Sequence, residues 1–358
     1  MDAIRLHAFG PPENLVVEQV PDPEPGPGQV LVAASAHGVH LLDASLRRGQ
    51  DDGPLPLPTL PAVPGREVAG TVAAVGPGVD VAWVGRRVVA HLGRTASGGG
   101  YARLAAVDVE ALHPVPEALA LADAVAMVGT GRTAVLVLRA AAVTRQDVVV
   151  VTAAAGGLGS LLVQAALEQG ARVVALVGSR GKVRAVRSLV PDAGERVAAV
   201  ETSGPGWQDA ARAAVRRLAA GRDRRPGPDG HDGGRDADTD GPGATLVLDG
   251  VGGDVGTAAA ELLGTGGRLV VHGWAAGAPN RVAAAADGDR APGGVRVVPV
   301  VGPGSAAPAD LRPLQAEALE RAASGRWRVL TYRVPFAAAA RAHRDLEKRR
   351  TTGKVVLV

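Results

Sequence analysis

The run Val148-Val149-Val150-Val151-Thr152 leads into Ala153-Ala154-Ala155-Gly156-Gly157-Leu158-Gly159, then a helical stretch Ser160 to Gln169, then a second apolar run, Arg172 to Val177. An unbroken apolar strand has no polar face to turn to water, so it must be covered on both faces. A parallel sheet with helices on each side does this. The glycines in the strand-to-helix turn let the backbone approach a ligand closely, and the following helix presents free N–H groups and the positive end of its dipole at the same place. Together they make an anion cradle suited to a pyrophosphate. A glycine pattern alone carries little weight, but here strand, turn, helix and second strand arrive in order, which is the context that makes it informative.

The same texture continues downstream. From Leu121 onward, Ala/Leu-rich helical stretches alternate with apolar strands, including Ala244 to Asp249, Arg268 to His272 and Val295 to Val301, which predicts an α/β domain on a parallel sheet. The preceding segment reads differently, with short β-rich runs at Ala3 to Leu6, Leu15 to Val20, Gln29 to Ala34, Val68 to Val75 and Arg87 to Ala90, punctuated by Pro21 to Gly28 and Gly76-Pro77-Gly78. That is a barrel-like pattern. A helix over Leu311 to Ala323 and a terminal helix and strand within Pro335 to Val358 are expected to return to this first domain. At 358 residues the chain exceeds the ~250–300 at which one core stops growing, so two domains are the natural division. Gly221 to Gly243, dense in Gly, Pro, Asp and Arg, reads as a flexible surface insertion.

Composition removes several functions. With no cysteine, disulfides, thiolate metal sites and cysteine nucleophiles are excluded. Thirty-nine basic and 36 acidic side chains nearly cancel to +3 without a like-charge block, so nucleic acid is not an expected partner. No apolar run of the ~20 residues needed to span a bilayer is recognised, and Met1 to Phe9, with Asp2, Arg5 and His7, does not read as a signal peptide. No membrane insertion and a cytoplasmic location are therefore expected.

The turn Ala153 to Gln164 resembles the AAAGGVG signature of medium-chain quinone oxidoreductases, with Leu158 as a variant. Other blocks match in order: Pro25 to Val32, Gly38-Val39-His40-Leu41-Leu42-Asp43, Pro64 to Gly70, Val75 to Val79, Gly99-Gly100-Tyr101-Ala102, Asp249 to Asp254, Gly266 to Val270, and Ala342 to Leu346 through Thr352 to Leu357. The resemblance spans nearly the whole chain apart from the insertion, and points to the zinc-independent, quinone oxidoreductase-like branch of the medium-chain dehydrogenase/reductase superfamily. It implies a GroES-like partial β-barrel domain (1–124 and 304–358) and a doubly wound Rossmann domain (125–303), with substrate and nicotinamide meeting between them, and a homodimer. It further implies that Ala155, Gly156, Gly157, Leu158 and Gly159 cradle the cofactor, while Thr133, Val251, Gly252, Gly273 and Trp274 lie along its nicotinamide half. NADPH is the expected cofactor. The strand Arg172 to Val177 ends in Gly178-Ser179-Arg180-Gly181-Lys182, where NAD users place an acid for the ribose hydroxyls; Ser179, Arg180 and Lys182 suit a 2′-phosphate instead.

Zinc-dependent relatives carry a Cys where this chain has His40, a His where it has Arg66, and a further Cys or Asp near Val128-Gly129. Arginine has no lone pair to donate, so no metal site is expected. Without a Lewis acid, the enzyme needs a small-molecule acceptor that delocalises developing negative charge, such as a quinone or conjugated enone. His40 is the candidate proton donor; Asp43 suits loop orientation better than acid chemistry, and Tyr101 is a further donor candidate. Arg47 and Arg48 suit an acidic substrate tail or a solvated face. His40 in place of the usual Asn, Arg86 in place of Asp and the Pro-rich Gly53 to Pro64 depart from the pattern, on the substrate side. Two other readings stay open: an enoyl or alkenal double-bond reductase, and a non-catalytic NADPH-binding sensor or partner-binding protein.

Overall fold

A computed structural model describes residues 1–51, 55–93, 98–221, 243–300, 305, 308 and 310–358; the surface insertion expected from the sequence lies, but for its end glycines, outside these residues. The chain forms two compact units, Met1–Val135 with Gly156–Leu158 and Ala309–Val358, and Leu136–Ala155 with Gly159–Pro308. The division keeps residues 125–135 with the first unit, eleven residues later than the boundary read from the sequence.

In the first unit the long strand Gln29–Val39 organises a seven-stranded sheet. It pairs antiparallel with Glu67–Val75, with Leu104–Asp108 and with the C-terminal strand Lys354–Leu357, which in turn lies parallel to Thr331–Val334. Val30, Val32, Val68, Val72, Val88 and Leu112 fill one core; Ile4, Leu6, Val39, Phe336, Val355 and Leu357 fill another with Tyr101. A helical stretch continues over Leu121–Ala141, opened to a π-turn at Met127–Gly131. This corrects the hydropathy reading: at 21 residues the stretch is long and apolar enough to span a membrane. Sixty-one per cent of its apolar window is buried inside the protein, as in a core helix.

The second unit is built as the opening motif requires. Its sheet runs Val197–Glu201, Arg172–Val177, Val148–Val151, Ala244–Asp249, Leu263–Val271, Val295–Pro299 and Arg290–Ala291, parallel except for the last. Every residue of Val148–Val151 is buried. Strand order reverses between Val148–Val151 and Ala244–Asp249, and the crevice at the carboxyl ends of such strands is where doubly wound sheets bind ligands.

At the opposite ends of these strands, Asp147 closes the sheet. Its carboxylate accepts hydrogen bonds from the Thr144 N–H (2.8 Å) and hydroxyl (3.0 Å), the Thr245 hydroxyl (2.6 Å) and Arg268 Nη2 (2.7 Å). Burial pushes its pKa up, but these donors outweigh burial and hold it below the ordinary value. A depressed folded pKa contributes stability above the unfolded value near ~4 and loses it as pH falls through the folded one. Asp147→Ala should therefore lower unfolding free energy by about 2–4 kcal/mol at pH 7. Urea titrations at pH 7 and pH 3 should show the gap shrinking in acid; a gap independent of pH would contradict this account.

Candidate active site

The Gly-rich turn is made by close packing. A Cβ on Gly159 would stand 2.3 Å from the Ala153 carbonyl oxygen, so the helix Gly157–Glu168 can start against the strand end only with glycine there. Ala153 takes a left-handed conformation (φ 47°) and Ala154 N–H donates to the Leu176 carbonyl at 2.9 Å, tying the turn to the neighbouring strand. Ala155 is buried, while Gly156, Gly157 and Leu158 remain half-buried.

At the next strand end, Ser179 caps helix Arg180–Leu189, its hydroxyl accepting from the Lys182 N–H at 3.4 Å. That helix has no acid in its first turn. However, the adjacent strand supplies one that sequence reading missed. Pairing of Glu201 with Val177 puts its carboxylate 3.7 Å from Arg180 Nε, and the Ser203 hydroxyl donates to its other oxygen at 2.6 Å. Arg180 is 91% exposed, so this ion pair is a weak one, open to exchange.

Asp249, fully buried, builds the loop after strand Ala244–Asp249. It accepts from Thr152 Oγ1 (3.0 Å), Val251 N–H (2.9 Å), Gly252 N–H (3.2 Å) and Asn280 Nδ2 (2.8 Å). The Val251 carbonyl accepts from Ala276 N–H at 2.8 Å, so Val251 has both backbone groups engaged inside the loop. Gly252 has φ 66°, and a Cβ on it would meet the Ala278 carbonyl oxygen at 2.1 Å. Gly273 packs against the Gly250 backbone, and Trp274 is 40% exposed.

The first unit contains a second polar cluster, fixed by strand register. Val39 pairs with Val355 and His37 with Val68, so one step along each antiparallel ladder sets His40 opposite Lys354 and Gly38 opposite Glu67. Glu67 also pairs with His91. The Glu67 carboxylate, wholly buried, lies 2.7 Å from His40 Nε2 and 3.0 Å from Lys354 Nζ, and Nζ is 2.8 Å from the same Nε2. Burial pushes Glu67 up, yet the His40 ring and the Lys354 ammonium together hold it well below the carboxylate range. Burial pushes Lys354 down, with Glu67 opposing, and pushes His91 to about 4. Space for the carboxylate depends on two glycines. A Cβ on Gly38 would lie 1.9 Å from Oε2, and one on Gly129, in the π-turn, 1.8 Å from Oε1. Thr133, the next turn on, donates its hydroxyl to the Gly129 carbonyl at 2.9 Å.

The candidate donors of the sequence reading divide. His40 has a quarter of its side chain exposed. Asp43 accepts from the His40 backbone N–H at 2.8 Å, 3.7 Å from the Arg66 guanidinium, and is 2% exposed, so it orients the loop. Tyr101 is corrected: it is fully buried, with its hydroxyl 3.3 Å from Asp43 and 3.1 Å from His343 Nε2, and burial followed by the Asp43 charge raises its pKa well above the ordinary value. It is a core hydroxyl with no open face. Arg47, also buried, pairs with Glu347 rather than standing in solvent. Glu67 and Lys354, at opposite ends of the chain, were not singled out because only the ladder register unites them.

A doubly wound sheet with a dinucleotide-type turn in one unit, and a partial barrel carrying a buried polar cluster in the other, define a nucleotide-dependent oxidoreductase fold. Residues 26–117 match the alcohol dehydrogenase GroES-like domain family and residues 229–357 the zinc-binding dehydrogenase family. The chain is 30% identical to a quinone oxidoreductase of Pseudomonas aeruginosa over 99% of its own length and 98% of that protein. It is 37% identical to a 2-haloacrylate reductase of Burkholderia sp., there spanning 51% of this chain and about half (55%) of the relative. Among solved structures, mycobacterial Rv1454c complexed with NADPH aligns with TM-score 0.75 and 31% identity, covering 100% of this chain and 99% of the other. The chain belongs to the quinone oxidoreductase-like branch of the medium-chain dehydrogenase/reductase superfamily.

The zinc that the second family's name implies does not fit these residues. The two donors that could face a metal, His40 Nε2 and Glu67, already hold the Lys354 ammonium between them, Arg66 cannot ligate, and among the described residues no three His, Cys, Asp or Glu side chains are grouped to hold a metal. The packing yields a direct test. Gly129→Ala should lower stability by about 1–3 kcal/mol through the clash with Glu67, whereas Gly178→Ala, with open space around it, should leave the melting temperature nearly unchanged. Equal melting temperatures for the two variants would mean that Glu67 is not confined as described.

Proposed function

We propose that this protein reduces quinones or related conjugated carbonyl compounds with NADPH and without catalytic zinc. The observation that carries the reading is Lys354: a covalently tethered cation lies between the side chains a metal would need. A substrate reduced here must disperse negative charge within itself, as quinones and enones do, and then take a proton from the protein or water. NADPH, when bound, supplies the hydride. The chain's own residues supply the rest: the turn Ala155 to Gly159 receives the pyrophosphate on backbone N–H groups, the Asp249-knotted loop supports the nicotinamide side, and His40 offers a proton. The relation to a haloacrylate reductase favours a second reading, reduction of an activated carbon–carbon double bond, which uses the same hydride and proton. The working form on this reading is a soluble cytoplasmic homodimer, which light scattering on purified protein checks.

NADPH consumption should be followed with a panel of quinones, enals and enoyl thioesters, alongside metal analysis. Turnover of quinones by protein holding far less than one zinc per chain, unaffected by chelator, is expected. Activity confined to enoyl thioesters would replace the quinone assignment by the second reading, and full loss on chelation would overturn metal independence.

NADPH should be preferred over NADH. Arg180 and Lys182 bring positive charge to the 2′-phosphate position, and hydrogen bonds to charged groups contribute about 1.5–3 kcal/mol each, so one or two contacts give a preference from roughly tenfold to several thousandfold in kcat/KM. Glu201 places the result toward the lower end, because the phosphate must displace it from Arg180. Arg180→Ala with Lys182→Ala should abolish most of the ratio through NADPH alone, and Glu201→Gln should raise it. An unchanged ratio in the double variant would remove this assignment.

A further inference from the structure

We propose that Lys354 is the proton reservoir for His40, and that the two form a relay held in register by Glu67. The inference rests on the reading of His40 as the proton donor. The geometry poses a choice that a simple ion pair does not. His40 Nε2 lies 2.7 Å from a Glu67 oxygen and 2.8 Å from Lys354 Nζ, and a ring nitrogen is either a donor or an acceptor, not both. Three arrangements share one total charge: in the simplest a neutral ring donates its Nε2 proton to one Glu67 oxygen while the Lys354 ammonium donates to the other, and the relay concerns the two in which Nε2 exchanges a proton with Lys354. In one, Lys354 is an ammonium donating to a bare Nε2, and the ring proton sits on Nδ1. In the other, one ammonium proton of Lys354 has crossed to Nε2, His40 is an imidazolium donating to Glu67, and Lys354 is a neutral amine. The two differ by one proton moved across 2.8 Å.

That isomerism matches what the reduction needs. As hydride reaches the acceptor carbon, the electron pair of the conjugated system moves onto the carbonyl oxygen, which takes the proton from His40 Nδ1; the N–H bond breaks and the O–H bond forms. Nε2 simultaneously takes a proton from the Lys354 ammonium. His40 leaves the step neutral, with its proton on Nε2, and Lys354 leaves it as an amine. Solvent restores the proton through the exposed ring edge, since the His40 side chain is a quarter exposed whereas Lys354 is 6% exposed. Glu67 stays ionised throughout, confined by Gly38 and Gly129, and its charge faces both groups. Lys354 and Glu67 are thus positioning residues and His40 the catalytic one. The surrounding charges are Asp43, Arg66 and Arg132, with His91 beside them.

Substitution at Lys354 separates a relay from a structural ion pair. Lys354→Arg keeps the cation but cannot release its proton, and Lys354→Met with Glu67→Gln removes both charges together, so that no buried charge is left unpaired. Both should retain the melting temperature within a few degrees and the NADPH dissociation constant within about threefold, while kcat on the best acceptor of the panel falls about tenfold or more at pH 8. The solvent isotope effect on kcat should change as well. Wild-type kcat and solvent isotope effect in Lys354→Arg would overturn the relay. A second readout needs no substrate: nitrogen-15 spectra of labelled histidine, with His40→Asn locating the His40 signals among the eight histidines. The wild-type ring should carry its proton on Nδ1, and Lys354→Met alone should move it to Nε2, facing Glu67. A proton on Nε2 in both proteins would overturn the relay even if every acceptor in the panel were turned over, and the expected tautomer shift would stand even if the panel failed.

Discussion

The interaction on which the first unit depends is the enclosure of one carboxylate. Glu67 has no exposed surface, and an ionised group removed from water is tolerated only when opposite charge compensates it at close range. Lys354 does so from the C-terminal strand Lys354–Leu357, and the His40 ring faces the same carboxylate from the residue that follows Gln29–Val39, which ties the two strands to one constraint. The end of the chain is therefore anchored twice, by ladder hydrogen bonds and by the Lys354–Glu67 ion pair. A half-formed pair would be worse than none. That asymmetry makes the placement of these groups all-or-none and holds His40 at a defined position.

The same unit shows how much space the charge demands. Gly38 and Gly129 belong to unrelated elements, an edge of the long strand and the π-turn of the helical stretch, yet a methyl group on either would run into the carboxylate. A π-turn widens the helix locally and is often retained where function needs it. Here it brings a glycine, rather than a larger residue, against Glu67. In the second unit the same economy of side chains appears at Gly159 and Gly252, where backbone atoms of neighbouring segments leave no room for a Cβ. With aromatics at 2%, the molecule relies on backbone proximity and buried hydrogen bonds instead of aromatic walls.

How legible this was in the sequence follows from the range of each interaction. Val148 to Val151 and the turn after it declare themselves locally, because burial on both faces writes a continuous apolar run and the turn needs glycine at fixed offsets. Asp43 was also readable, since its partner, the His40 N–H, is three residues away. Tyr101 misled because a half-buried strand tyrosine and a fully buried one look alike until Asp43 and His343 are brought to its hydroxyl. Glu201 was invisible for a related reason: the acid beside Arg180 comes from the next strand, in pairing with Val177. The helical stretch Leu121–Ala141 was underrated because its arginines break the apolar run without lowering its mean hydropathy enough to matter.

A metal and a lysine in the same place do different chemistry, and this difference organises the functional reading. A divalent cation polarises an oxygen and lowers the pKa of what binds it, but it carries no proton. An ammonium polarises weakly and gives up a proton when its surroundings disfavour charge, which burial at Lys354 does and Glu67 partly reverses. A site built this way is poorly equipped to activate an alcohol for oxidation and well equipped to quench the anion left when hydride enters a conjugated acceptor. On the proposed reading, a preference for reduction over oxidation would rest less on the cofactor than on three side chains, His40, Glu67 and Lys354, which stand within 3.0 Å of one another.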